Sequence, residues 1–229
     1  MTPSVAAVVP ALDESGRIAA LVDRLRTFDL AELVVVDGES RDGTGAVARE
    51  RGATVIAAPR GRAAQMNAGA AAVRADVLWF LHADVEAPEG AVDALRRVLR
   101  DPAVVAGAFH TRTTDDPTPE SSPAWLRLAD LRQRRTRLPY GDQGLFVRTA
   151  VFRAVGGYDE RLRMFEDVDL ARRLWRHGRV EILDPPLRVS SRRFRARPLH
   201  SLVAMNLFPL AFRVGMDTHT LERWYGTPR

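Results

Sequence analysis

The chain has no cysteine among its 229 residues. That excludes disulfides, thiolate metal sites and a cysteine nucleophile together. Any bound metal must be held by oxygen or imidazole. Lysine is absent too, since all 34 of the lysine-plus-arginine positions are arginine. This removes a Walker-type lysine and a Schiff base. No apolar run approaches the about 20 residues that a membrane-crossing helix needs. The longest apolar stretch, residues 199–216, is interrupted by His200, Asn206, Pro209 and Arg213. The chain opens on a strand-like run at residues 5–9 with no leader pattern, so the expected location is the cytoplasm.

What is present supports one substantial core, because 46% of residues are hydrophobic. The expectation is one domain with a C-terminal appendage. The net charge of +5 is made of arginine alone, which suits bidentate contact with phosphate and fits an anionic substrate, nucleic acid or an acidic membrane face. Nucleic acid is the weakest of these, because the arginines lack interleaved aromatics apart from Phe194.

Short apolar runs at residues 5–9, 33–36, 54–57 and 77–81 read as strands, with helix-period segments at 16–27, 43–51, 63–74 and 89–100. This alternation implies parallel βαβ units in a Rossmann-like, mostly parallel sheet flanked by helices. The polar ends of the four strands then share one sheet edge, where ligands bind in open α/β sheets. The fourth run, Val77 to Leu81, stops at His82-Ala83-Asp84. Two metal-capable side chains at that point make a site hypothesis; a turn in which Asp84 caps the helix after Pro88 is the alternative. Beyond a strand at 104–109 the alternation breaks. Residues 111–123 read as a loop, 124–135 and 166–177 as helices, and 145–147 and 180–183 as strands.

Val9-Pro10-Ala11-Leu12-Asp13-Glu14, Val36-Asp37-Gly38-Glu39-Ser40-Arg41-Asp42-Gly43-Thr44 and Phe80-Leu81-His82-Ala83-Asp84 occur in that order. Pro59-Arg60-Gly61-Arg62-Ala63-Ala64-Gln65-Met66-Asn67-Ala68-Gly69 lies between the second and third of these, and Gly141-Asp142-Gln143-Gly144, Phe165-Glu166-Asp167-Val168-Asp169-Leu170 and Ser190-Ser191-Arg192-Arg193-Phe194 follow the third. As an ordered set they resemble the family 2 glycosyltransferases, which have the GT-A fold, and within it a compact bacterial subgroup with His-Ala-Asp where Asp-x-Asp is usual. The resemblance implies a catalytic domain over residues 1–195 and an amphipathic helical tail over 196–229.

It also implies roles. Pro10, Leu12, Glu14 and Asp37 would line the nucleoside pocket, and Arg62 and Asn67 would reach the base or the diphosphate. Asp84 would be the one firm protein ligand of Mn²⁺ or Mg²⁺ bridging the donor's phosphates, with His82 packing against or hydrogen-bonding the sugar. Of the adjacent Arg192 and Arg193, one would touch phosphate, while Asp142 and Gln143 would sit by the acceptor or sugar hydroxyls. Asp167 would be the general base of an inverting transfer, with Glu166 beside it. Two carboxylates at a helix start are favoured by its dipole, and plain capping is the alternative reading of the pair.

The implied activity is inverting hexosyl transfer from a UDP- or GDP-sugar. The acceptor is unidentified; relatives in the compact subgroup named as carotenoid-acid glucosyltransferases suggest a lipid-like one. The tail, with Val203, Leu207, Leu210 and Val214 near helical spacing, reads as core packing, a homodimer contact or a peripheral contact with the inner membrane face. Two other function classes stand beside this reading: a non-catalytic nucleotide-sugar-binding or membrane-associated module, and a nucleotide-sugar pyrophosphorylase. The second is weakened by the lack of an early Gly-rich loop and lysine.

Overall fold

All seven residues of β1 (Val5–Ala11) are buried, so the strand must be covered on both faces and flanked on both edges. In the computed structural model, which describes residues 2–114, 141–190, 207–208, 211 and 216–225, that is its position. The chain continues through α1 (Ser15–Leu25), β2 (Glu32–Asp37), α2 (Thr44–Glu50), β3 (Thr54–Ala57), α3 (Arg62–Ala72), β4 (Val77–Phe80), β5 (Val85–Glu86) and α4 (Ala91–Val98). There follow β6 (Val104–Thr114), a 3-10 turn at Gly141–Gln143, β7 (Phe146–Arg148), α5 (Thr149–Ala154), α6 (Glu166–Leu174), β8 (Arg179–Ser190) and α7 (Thr218–Tyr225).

The strands form one sheet in the order β3-β2-β1-β4-β7-β6-β8-β5. β1 is parallel to both β2 and β4, and β2 to β3. The chain winds outward from β1 to β3 and then crosses back to β4, which makes the gap between β1 and β4 the topological switch point. Alternation along β1 feeds two cores. Val5, Ala7 and Val9 meet Ile18, Leu21, Leu25 and Leu95 from α1 and α4 on one face, while Ala6 and Val8 meet Ala63, Met66, Ala70, Leu170 and Leu174 from α3 and α6 on the other. α3 lies unusually close to the sheet: a Cβ on Gly69 would stand 2.3 Å from Cγ1 of Val8. That contact aims the start of α3 at the strand ends.

The second half of the sheet is mixed. β7 runs antiparallel to β4 and β6, β8 is parallel to β6, and β5 is antiparallel to β8. Three expectations change here. Residues 111–114 belong to β6 and pair with residues 187–190, so this part of the expected loop is strand; residues 115–123 lie outside the described residues. Their threonines are β-branched and alternate, with Thr111 and Thr113 buried about an exposed Arg112, which is strand chemistry that a polar composition disguises. β8 likewise runs well past residue 183 through Asp184-Pro185-Pro186, because the prolines fall beside a register shift between Phe109 and Thr111 where the ladder is already interrupted. Finally, β5 and α5 are elements that the periodicity did not reveal.

The expected helix at 124–135 and the arginines Arg192 and Arg193 lie outside the described residues, as does most of the tail. Within the described part of the tail, Phe208 and Leu221 are buried against Met164, Phe165 and Ala211, and Leu207 is 56% exposed. No helix among the described residues is long and apolar enough to cross a membrane.

Candidate active site

The loops after β1 and β2 are stitched together by side chains. Asp13 takes the Arg41 N–H at 2.8 Å and its own N–H donates to Ser40 Oγ at 3.0 Å. The Glu14 N–H donates to Thr44 Oγ1 at 2.8 Å, and its carboxylate pairs with Arg17 at 3.1 Å. Asp42 accepts from both Ser15 N and Thr44 N, at 2.9 and 3.0 Å, so it ties the starts of α1 and α2 to each other. Burial raises its carboxyl slightly in tendency, but the bonds from Thr44 and Ser15 outweigh this and hold it well below the usual aspartate range. The capping position of α2 is Gly43, with no side-chain cap bond, and Asp42 acts from one residue earlier.

Asp37 ends β2 half-buried, and its Oδ1 accepts the Ser40 N–H at 2.9 Å. A Cβ on Gly45 would stand 2.6 Å from Asp37 Oδ2, so the first turn of α2 closes over this carboxylate. Pro10 is buried within β1 opposite Val36. Leu12, just beyond the strand, is 37% exposed. These residues form a rigid acidic rim with one apolar side chain turned to solvent.

His82 and Asp84 are half-buried at the end of β4. The capping alternative for Asp84 does not hold, because the short strand β5 intervenes and the capping position of α4 is Gly90. β5 has a further consequence: Val85 pairs with Val189. The chain of β8 therefore reaches Ser190 beside Asp84, two residues before Arg192. Across the same sheet end, Gln143 is buried at 1% exposure in the 3-10 turn next to Asp142, and Trp79 Nε1 donates to Gly144 O at 3.2 Å. Among the described residues no group of three or more His, Asp or Glu side chains could hold a metal. A lone half-buried carboxylate beside an imidazole instead fits Mn²⁺ or Mg²⁺ that draws most of its oxygens from a substrate and water.

Glu166 and Asp167 lie inside the first turn of α6, with Phe165 in the capping position at φ 65°. The first turn is acidic and the last carries Arg172 and Arg173, the charge order that the helix dipole favours. Neither carboxylate is a plain cap. Glu166 is 3% exposed and pairs with Arg62 Nε at 2.9 Å, across from the start of α3. Its Oε2 is buried without a hydrogen-bond partner. Burial raises the Glu166 carboxyl, Arg62 opposes this, and the neighbouring Asp167 adds to the rise. Asp167 is more exposed, and its Oδ1 accepts the Val168 N–H at 2.7 Å.

Arg62 and Asn67, which the resemblance points at the donor, are engaged in the same region. Asn67 Nδ2 donates to Tyr158 O at 2.9 Å and to Glu160 Oε1 at 2.8 Å, and Asn67 Oδ1 accepts the Tyr158 N–H at 2.9 Å. Sequence reasoning missed two residues. Gln65, 3% exposed, donates to Ala11 O and Val36 O at 2.9 Å each and so clamps the ends of β1 and β2. Tyr158 packs edge-on to Phe80 at 5.2 Å and against Phe152 at 5.7 Å. Its hydroxyl is pushed well up by burial and then by the charges of Asp167 and Glu166. The available signal was Gly156-Gly157-Tyr158-Asp159, whose two glycines both have positive φ, at 83° and 67°.

The chain is similar to known proteins in sequence and in fold. The chain is 32% identical over 190 residues to the pre-mycofactocin glycosyltransferase of Mycobacterium tuberculosis (strain CDC 1551 / Oshkosh), covering 76% of this chain and 39% of that protein. It thus spans well under half the length of that curated relative. Its fold resembles the mannosyltransferase PcManGT from Pyrobaculum calidifontis in complex with GDP-Man and Mn²⁺, with a TM-score of 0.70 at 20% identity over 98% of this chain and 68% of that one. It also resembles S. aureus TarS in complex with UDP-GlcNAc, with a TM-score of 0.64 at 16% identity over 82% of this chain and 58% of that one. These likenesses give the architecture as GT-A. The sequence model of glycosyl transferase family 2 matches residues 6–155, more than half of the 229, and the chain belongs to that family.

Proposed function

We propose that the protein transfers a sugar, with inversion, from a nucleoside-diphosphate sugar to an acceptor oxygen. The observation that carries this reading is convergence. The loops at Asp37, Glu14 and His82-Ala83-Asp84 lie at one sheet edge about the switch point, and Arg62 joins that edge to the carboxylates of α6. The structural neighbours' bound GDP-Man and UDP-GlcNAc support a nucleotide sugar as the donor class.

In this reading Pro10, Leu12, Glu14 and Asp37 hold the nucleoside, Asp37 by accepting hydrogen bonds from base or ribose. His82 borders the sugar, and Asp142 and Gln143 face its hydroxyls or the acceptor. Asp84 would hold Mn²⁺ or Mg²⁺, which would supply neutralisation of the charge on the departing group. Arg192 or Arg193 would add to that neutralisation. Asp167 takes the proton of the acceptor hydroxyl as that oxygen bonds to the anomeric carbon. The bond from that carbon to the diphosphate oxygen breaks on the opposite face, and the nucleoside diphosphate leaves with the electron pair.

The acceptor we infer is lipid-like, met at a membrane surface by the tail. The exposure of Leu207 and Met216 supports this, as does the run of arginines from Arg188 to Arg197. To test catalysis, the protein is incubated with a panel of UDP- and GDP-sugars and Mn²⁺, and nucleotide release is followed with Asp84→Ala and Asp167→Ala as controls. Wild-type turnover in either variant defeats the role given to that residue. Flotation with anionic vesicles tests the membrane contact independently.

A further inference from the structure

Helix α3 carries three polar side chains that point to two different places. Gln65 reaches the ends of β1 and β2, where the nucleoside is proposed to sit. Arg62 and Asn67 reach the other way, to the segment that leads into α6. Asn67 binds both backbone groups of Tyr158 and the Glu160 carboxylate through three bonds of 2.8–2.9 Å. Arg62 binds Glu166, the first residue of α6.

The anchored segment has other contacts as well: Arg161 pairs with Asp159 at 2.8 Å, the Arg163 N–H donates to Thr218 Oγ1 at 3.5 Å, and Met164 and Phe165 pack against Phe208 and Leu221. Arg173 Nη1 donates to Val155 O at 2.6 Å and to Gly157 O at 2.7 Å, which fixes the double-glycine turn from the α6 side. Tyr158 is wedged between Phe80 and Phe152. Beyond it, residues 159–165 form no regular element and end on Phe165 with its positive φ. A residue in that backbone region is held there by its surroundings. The two ends of the path that leads to Asp167, residues 158 and 166, are both pinned by α3, while its middle packs on Phe208 and Leu221.

We propose that Asn67 is a positioning residue for Asp167: by fixing Tyr158 and Glu160 it sets the path of residues 158–166, and it acts on the chemical step without touching the donor. Arg62 is the second anchor of the same strut. The inference rests on the reading of Asp167 as the base. It differs from the role the family resemblance suggests, in which Asn67 contacts the nucleotide, and the two make opposite kinetic demands. A donor ligand, when removed, weakens nucleotide binding; a positioning residue, when removed, lowers kcat with binding intact.

The variants are Asn67→Ala and, because that change can destabilise the fold, Glu160→Ala, which removes one of the three contacts from an exposed side chain. Calorimetry with UDP and with GDP in Mn²⁺ measures nucleotide affinity without turnover. Donor turnover, from the sugar panel above, measures kcat and KM. Hydrogen exchange reads protection of the Tyr158 amide and the residues up to Phe165. The expected result for Asn67→Ala is nucleotide affinity within about 2-fold of wild type, donor KM unchanged and kcat down at least about 10-fold. Exchange should be faster over residues 158–165 in Asn67→Ala, and Glu160→Ala should shift kcat and exchange the same way by less. A tenfold loss of nucleotide affinity with kcat unchanged overturns the proposal and makes Asn67 a donor ligand. Unchanged exchange in both variants overturns it as well. If the wild type turns over no donor, the catalytic reading fails; the binding and exchange measurements still decide whether Asn67 holds this segment or the nucleotide.

Discussion

Replacing Gln65 with leucine removes two hydrogen bonds at a site with almost no solvent, and its cost can be worked from the contacts. The amide donates at 2.9 Å to Ala11 O and at 2.9 Å to Val36 O. A net hydrogen bond is worth about 1 kcal/mol, and a buried group left without any partner costs about 1–3 kcal/mol. Ala11 O keeps a second partner, the Gly38 N–H at 2.9 Å, so it is not orphaned. Leucine fills similar volume, which keeps the cavity contribution small. The expected loss is therefore about 2 kcal/mol, or about 4–8 °C in melting temperature for a domain of this size.

Gly38 supplies the internal control. A Cβ there would stand 2.8 Å from Gln65 Nε2. The amide is the far end of a flexible side chain and could swing away, but only by breaking both of its bonds. Gly38→Ala should thus cost about as much as the loss of the amide, and should cost much less in a Gln65→Ala background. Equilibrium urea unfolding of the four proteins gives this coupling, expected at about 1–2 kcal/mol. A Gln65→Leu protein within about 0.5 kcal/mol of wild type, or costs that simply add, would refute the clamp.

Glu166→Gln should flatten part of the pH dependence of stability. Burial raises the carboxyl in the folded protein, so its favourable contribution is complete below the ordinary glutamate value and is lost as pH rises through the folded value. Unfolding free energy, measured from about pH 4 upward, should fall in the wild type relative to the variant; parallel profiles would contradict the direction. Asp42→Ala has the opposite sign. The depressed carboxyl contributes stability above the ordinary aspartate range that is lost as pH falls through its folded value. The residue is exposed, so the cost near neutrality is about 1 kcal/mol and should shrink in acid. For Asp84→Asn, the expected outcome is loss of the Mn²⁺-dependent part of the thermal stabilisation given by a nucleoside diphosphate. In the wild type that stabilisation is about 2.7 kcal/mol at a hundredfold excess over Kd, and an identical shift in the variant would remove Asp84 from the metal site.

The parallel half of the fold was legible because its signals are local. The runs at residues 5–9 and 77–81 are apolar throughout, as strands buried on both faces must be, and the polar residues that stop them mark the sheet edge. The later strands were less legible, since β5 has two residues and exists only because Val189 and Arg188 lie opposite it. Its sequence, Val85-Glu86, carries no periodicity to detect. Thr111 to Thr114 failed differently: the residue types favour both loops and strands, and the pairing with β8 decided.

The side-chain partners across the site were illegible for a stronger physical reason. Asn67 and Tyr158 are 91 residues apart, and nothing in either neighbourhood encodes the other. A glutamine on a helix reads as a surface residue until both of its carbonyl acceptors are known. Glu166 and Asp167 are adjacent and chemically alike, and in sequence either could be the base. Burial separates them. Glu166 has one oxygen committed to Arg62 and the other enclosed by protein, whereas Asp167 keeps access to solvent, which a group that must meet an acceptor proton requires. The environment that withdraws Glu166 is built by α3, so in the proposed mechanism the helix that reads in sequence as part of the donor pocket would also determine which carboxylate is left to react.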